Sequence, residues 1–222
     1  MPQPGTRVGM ARERVLQVAE RLFMERGYTG VSMREIADAL GIKQPALYYH
    51  APEGKHQLYL AVLERALERH RAELHTRIAA SDADLRAQLR VVVRWLLHSV
   101  PFNMARMAQI DIPALPAATA ATASMLVWEA LYLPIAQLFA NAQARHEIRA
   151  LDPTMLAGAA VALIDSLRAY DVPEEYTGPP ELIGDQLIDM LLDGVLIGTG
   201  VVCGKTAATN HPIFLPKQNA LS

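Results

Sequence analysis

Apolar residues in this chain recur at three- and four-residue spacing, the period of an amphipathic helix. Val15, Val18, Ala19, Leu22 and Phe23 share one face, with Arg and Glu opposite, which predicts a helix over 11–26 ended by Gly27. Ile36, Ala37 and Leu40 make the next stripe. Ser32 with Glu35 three residues on is a capping box at its start, and Gly41 suits the left-handed residue that ends a helix. Pro45 then fits the first turn of another helix, Gln44 to His50, which Pro52 stops. A long helix follows over 54–79. Beyond it the pattern predicts helices at 82–99, 101–111, 116–144 (bent near Pro134), 154–170 and 181–199. Asp152-Pro153 reads as a cap plus first-turn proline.

These elements predict an all-α protein. Its parts are a loose Pro- and Gly-rich arm over 1–10, a three-helix head over 11–55, a helical body over 56–200 and a tail over 201–222. No Pro/Gly/Ser-rich linker separates head from body, so the long helix couples them.

Helix, short glycine turn, helix is the helix-turn-helix arrangement, whose second helix enters the DNA major groove. The residues that would meet base edges are Lys43, Gln44, Pro45 and Ala46. Gln pairs naturally with adenine through two hydrogen bonds, and Lys reaches guanine or phosphate. Tyr48, Tyr49, His50 and Lys55 offer hydroxyl, imidazole and ammonium donors to backbone phosphates, contacts that set register without reading sequence. Lys55 also opens the long helix, where free N–H groups favour an anion.

The chain has 222 residues and a net charge of −2, so it is not a basic nucleic-acid binder as a whole. The charge is uneven, however. Residues 1–80 carry 12 Lys and Arg against 9 Asp and Glu, and the basic excess falls in the half with the helix-turn-helix. A single cysteine, Cys203, excludes a disulfide framework within the chain and any cysteine-rich zinc site. The seven histidines are scattered, there is no HExxH and no phosphate-cradling glycine loop, so no catalytic residues, metal ligands or cofactors are assigned. MPQPGTRVG lacks an apolar run of the secretory kind, and prolines break the uncharged run Ile112–Trp128. The expectation is a cytoplasmic protein with no membrane partner.

GIKQPALYYHAPEGK resembles the recognition-helix segment of the TetR family of bacterial transcriptional repressors. ERVLQVAERLFMERGYTGVSMREIADAL is similar to the two helices before it. The resemblance runs without a gap from about Arg12 to Leu63 and includes Gly27-Tyr28, Ser32, Ile36-Ala37, Gly41, Leu47-Tyr48 and Lys55. A weaker one covers ARHEIRALDPTMLAGA (144–159), where the His146 position is often Gly. Ala51 stands where the family usually has Phe or another large apolar residue, and Lys43 where Ser or Thr often caps. The resemblance implies that Arg34 faces DNA, and that double-stranded operator DNA, a second copy of the chain and a small-molecule effector are the partners.

For the effector, the candidates are Trp95, His98, Phe102, Met104, Met107, Met125, Trp128, Tyr132, Asp165 and Arg168. Bulky or adaptable apolar side chains with a few polar groups are typical of pockets between helices. Residue by residue, a plain core is the simpler account; the family implies a pocket for the region, and the scarcity of charge hints at a lipophilic ligand. For the homodimer, the 181–199 helix is apolar nearly all round and must be buried on more than one side. Leu163, Leu187, Ile188, Leu191, Leu192 and Val195 are the interface candidates, with Asp185, Asp189 and Asp193 as a solvated strip. A two-fold dimer would require a near-palindromic operator. The expected function is a ligand-released repressor. A ligand-independent regulator, or a helical enzyme or sequestering protein on the same fold, are the alternatives.

Overall fold

The computed structural model describes residues 4–99, 106–169 and 179–195. Every regular element among them is helical: α1 (Pro4–Arg26), α2 (Met33–Leu40), α3 (Gln44–Tyr48), α4 (Lys55–Ala79), α5 (Leu85–Ser99), a π-helical turn α6 (Met107–Asp111), α7 (Ala117–Val127), α8 (Leu133–Ala144), α9 (Pro153–Ala169) and α10 (Pro180–Val195). The expected loose arm is a correction. From Pro4 onward it is helical and lengthens α1 at its N-terminus. The predicted tail over 201–222, with Phe102 and Met104, lies outside the described residues.

The three-helix head closes on Val15, Ala19, Phe23, Ile36, Ala37, Leu47, Leu58 and Tyr59, all buried. Phe23, Tyr28 and Tyr59 pack edge to face, with Tyr59 5.2 Å from each of the other two rings. Such pairs add about 0.5–1.5 kcal/mol beyond their area. The long α4 runs from head into body. On its way it is tied to α1 by Arg65–Glu13 at 2.5 Å and by Arg69–Glu20.

In the body, α7 and α8 form one helical run interrupted by a π-helical turn at Trp128–Tyr132. Pro134 explains the interruption: it has no N–H for the carbonyl one turn back, and the helix loosens just before it. The run Ala117–Ala144 is long and apolar enough to cross a membrane by length and composition, but it packs on α4 and α9 and half of its apolar window is buried within the protein. His146 follows with φ 59°, a left-handed residue closing α8 where glycine would serve more easily.

The predicted solvated strip on α10 is corrected in part: the Asp193 side chain is 72% exposed, whereas Asp185 and Asp189 are largely covered. Asp185, Asp189 and Asp193 face α5, and Arg86, Arg90 and Arg94 pair with them in antiparallel order. His98 extends the ladder to Glu181 at 2.7 Å. Arg86 is partly desolvated, yet its bonds to Asp189 and Asp193 raise its pKa above the ordinary value.

Candidate nucleic-acid interface

Local chemistry fixes the geometry of α2 and α3. The Ser32 hydroxyl accepts the Glu35 N–H at 3.2 Å, and the Glu35 carboxylate accepts the Ser32 N–H at 2.8 Å. That is the reciprocal capping box. Glu35 also takes Arg26 at 2.7 Å, and hydrogen bonds from Ser32 hold its carboxyl below the usual range. Gly41 has φ +70° and ends α2, with the Ile42 N–H reaching back to the Ala37 carbonyl at 3.0 Å. Only a residue without Cβ adopts that backbone at little cost, and it turns the chain into α3.

Within α3 one side chain is an anchor. Leu47 is 0% exposed, whereas Lys43, Gln44, Pro45, Ala46 and Tyr48 are exposed and Tyr49 stands 76% free. Lys43 occupies the N-cap with no side-chain cap bond, so its ammonium is not consumed there. Tyr49 meets His50 edge to face at 5.4 Å. Arg34, on the exposed side of α2, reaches Asp38 only at 3.9 Å. Such an exposed pair contributes little.

Lys55 is placed differently from the expectation. Its ammonium donates to the Tyr28 carbonyl at 2.9 Å and lies over the Tyr28 ring at 4.1 Å. Much of its capacity is spent holding α4 to the end of α1. It borders an open cavity of about 400 Å³ between Thr29, Ser32 and Glu35.

A group that sequence reasoning missed joins α6 to the head. Asp111, 3% exposed, accepts the Tyr28 N–H at 2.9 Å. Arg106 reaches the same carboxylate at 3.5 Å and donates to the Met24 carbonyl at 2.9 Å, with longer contacts to the Phe23 and Glu25 carbonyls. The body therefore caps the C-terminus of α1. Burial, then the Asp111 charge, raises the pKa of the neighbouring Tyr59 well above its ordinary value. No signal in the sequence links positions some 80 residues apart, although a lone Asp in an apolar stretch was a cue to a buried partner.

The effector candidates are dispersed. Trp95 and Met107 are wholly buried, Met125 is 57% exposed, and His98 faces Glu181 on α10. Trp128 and Tyr132 stack at 5.6 Å with planes 10° apart. Burial, then the charge of Asp165, raises the Tyr132 phenol's pKa. Arg168 lies on α9, its side chain outside the described residues. Trp95 meets instead a residue not anticipated, His70 of α4, with ring centroids 5.9 Å apart. Trp95 Nε1 and His70 Nδ1 are both buried without a hydrogen-bond partner, and desolvation first, then Arg69, lowers the His70 pKa.

The interface candidates divide. Ile188, Leu192 and Val195 are 1%, 1% and 5% exposed within the protomer, where α10 packs on α5 and α9. These three serve the protomer's own core, which corrects that part of the expectation. Leu163, Leu187 and Leu191 are half-buried, while Leu182 and Met190 on α10 and Met155 on α9 are exposed.

Residues 15–62 match the family of bacterial regulatory proteins, tetR family. The HTH-type transcriptional activator FasR of Mycolicibacterium smegmatis is 44% identical over 57 residues, 26% of this chain and 26% of that protein. The chain thus aligns with about a quarter of that relative's length. Likeness in three dimensions is broader. AibR in complex with isovaleryl coenzyme A and operator DNA superposes with a TM-score of 0.64 at 23% identity, over 82% of this chain and 97% of that one. A protein from Saccharomonospora viridis in complex with choline gives 0.63 at 26% identity, over 86% and 100%.

Proposed function

We propose that this chain, whose residues 15–62 match the tetR family of bacterial regulatory proteins, is a transcriptional regulator of that family that binds a near-palindromic operator as a homodimer and is released by a small molecule bound in its body. One observation carries the DNA-binding reading. α3 contributes a single side chain, Leu47, to the core and offers the rest to solvent. Elements that exist for packing bury a face; this one displays Lys43, Gln44, Tyr48 and Tyr49 on a rigid mount. A bidentate Gln44–adenine contact is worth about 1–3 kcal/mol of discrimination.

Two observations support effector binding. Trp95 and His70 leave a buried donor and a buried ring nitrogen unpartnered side by side, which a solid core avoids. Trp128 and Tyr132 stack at a π-helical turn, a distortion frequent at functional sites. A ligand suited to this setting is largely apolar and carries one neutral hydrogen-bonding group. Two proteins of this fold hold ligands as different as an acyl coenzyme A and choline, so the fold does not select the ligand.

Release follows from the coupling of head and body. The ligand displaces α6 or α4, and both hold the end of α1: α6 through Arg106 and Asp111, α4 through Lys55. By linkage, operator DNA weakens the ligand by the same factor. The test is selection of bound fragments from genomic DNA at about 150 mM salt, where non-specific binding is suppressed. The expected result is a near-palindromic site whose enrichment is lost in Gln44→Ala. Equal enrichment by that variant would remove Gln44 from the interface, and no enrichment from folded protein would overturn the operator reading.

A further inference from the structure

We propose that Arg12 of α1 and His50, just past α3, together clamp a backbone phosphate of the bound DNA, the first as the principal cation. The inference rests on the DNA-binding reading and adds to it a contact from the first helix of the head. Arg12, Val15 and Leu16 form one wall of a small cleft of about 30 Å³, whose other walls are His50 and Ala51 on one side and Gln57, Leu58 and Ala61 of α4 on the other. The cleft exists because Ala51 is buried with only a methyl group to fill the corner between α1 and α4. It brings Arg12 beside the residue that follows Tyr49, whose side chain is 76% exposed.

The charges around the cleft leave Arg12 available. Glu13, its neighbour in sequence, is held by Arg65 at 2.5 Å. Glu53 is turned toward His56 at 3.8 Å, and its N–H is taken by the Gln57 side-chain oxygen at 3.1 Å. Among the described residues no carboxylate lies within ion-pair distance of Arg12, which is itself exposed. An exposed guanidinium with no carboxylate presents a planar fork of donors that matches a phosphate two bonds at a time. Lys55, the cation expected from sequence to serve this end of the head, is instead engaged with Tyr28. The anion-directed charge beside the C-terminal end of α3 therefore falls to Arg12, with the His50 imidazole as a neighbouring hydrogen-bond donor.

The experiment is the salt dependence of duplex binding by the full chain, for wild type, Arg12→Ala, Arg12→Lys and Gln44→Ala, on a selected operator and on an unrelated duplex. Arg12→Ala is expected to weaken both duplexes by the same factor and to reduce the slope of log K against log salt by about 0.9, one phosphate's worth. Arg12→Lys restores the slope and only part of the affinity, because a point charge replaces the fork. Thermal melting of Arg12→Ala matches wild type, since the residue is exposed and outside any ion pair. An unchanged slope and affinity in Arg12→Ala, or a loss confined to the operator, overturns the clamp while leaving the recognition helix in place. Failure of wild type to bind either duplex overturns the DNA-binding reading, and the clamp with it.

Discussion

Asp111 carries the sharpest residue-scale consequence. A carboxylate 3% exposed persists only where its charge is met, and here the Tyr28 N–H and the Arg106 guanidinium meet it. Gly27 makes the approach possible: it has φ +75°, and a Cβ there would lie 2.7 Å from Asp111 Oδ1. Asp111→Ala strands the Tyr28 N–H and removes the carboxylate that faces Arg106, which keeps its bonds to the α1 carbonyls, at a cost of about 2–3 kcal/mol. Asp111→Asn keeps an acceptor for Tyr28 and loses less. Denaturant midpoints at constant m-value check both. If Asp111→Ala unfolds at the wild-type midpoint, the clamp holds nothing together. The capping box at Ser32 and Glu35 was readable in advance because its partners are three residues apart, a spacing the helix itself enforces. The Asp111 clamp was not, because the fold alone brings positions 28, 106 and 111 together.

At the scale of elements, α5 and α10 show the same limit in another form. Arg86, Arg90, Arg94 and His98 recur every four residues, and so do Glu181, Asp185, Asp189 and Asp193. Each row marks a helix face, but neither says that the other covers it. The acidic row therefore reads as solvated until the antiparallel packing sets it against the basic one. The apolar positions of α10 were similarly ambiguous. Periodicity assigns burial to Ile188 and Leu192, yet it does not distinguish the protomer's own core from a partner's. What holds the two helices close is Gly184, where an added Cβ would stand 2.5 Å from Val93 Cγ1. Gly184→Ala is expected to destabilise by about 1–3 kcal/mol through overpacking. Val93→Ala in the same chain removes the clashing methyl, so the double variant should melt above the sum of the single losses. Strict additivity would place the strain elsewhere.

For the whole molecule, the proposed near-palindromic operator asks which surface a second copy would cover, because two heads on successive half-sites would require a two-fold partner. Once Ile188, Leu192 and Val195 are assigned inward, the apolar surface left on the described part of the last two helices includes Met155, Leu163, Leu182, Leu187, Met190 and Leu191, beside the small residues Gly158, Ala159 and Ala162. Small residues let helices approach closely, and large flexible ones fill the seam, so this face suits a four-helix contact between two copies. Met190, 71% exposed in the protomer, is the discriminating position. In an isolated protomer Met190→Glu is a surface change worth at most about 0.5 kcal/mol. In the seam it places two like carboxylates near a symmetry axis without partners, at a cost of several kcal/mol of association free energy. Sedimentation velocity should show a wild-type dimer and a Met190→Glu monomer. The variant's affinity for a near-palindromic operator should fall toward that for a single half-site. A variant that still sediments as a dimer would move the interface off the α9–α10 face. Retained dimerisation together with lost operator binding would mean that Met190 instead governs how the two heads are spaced.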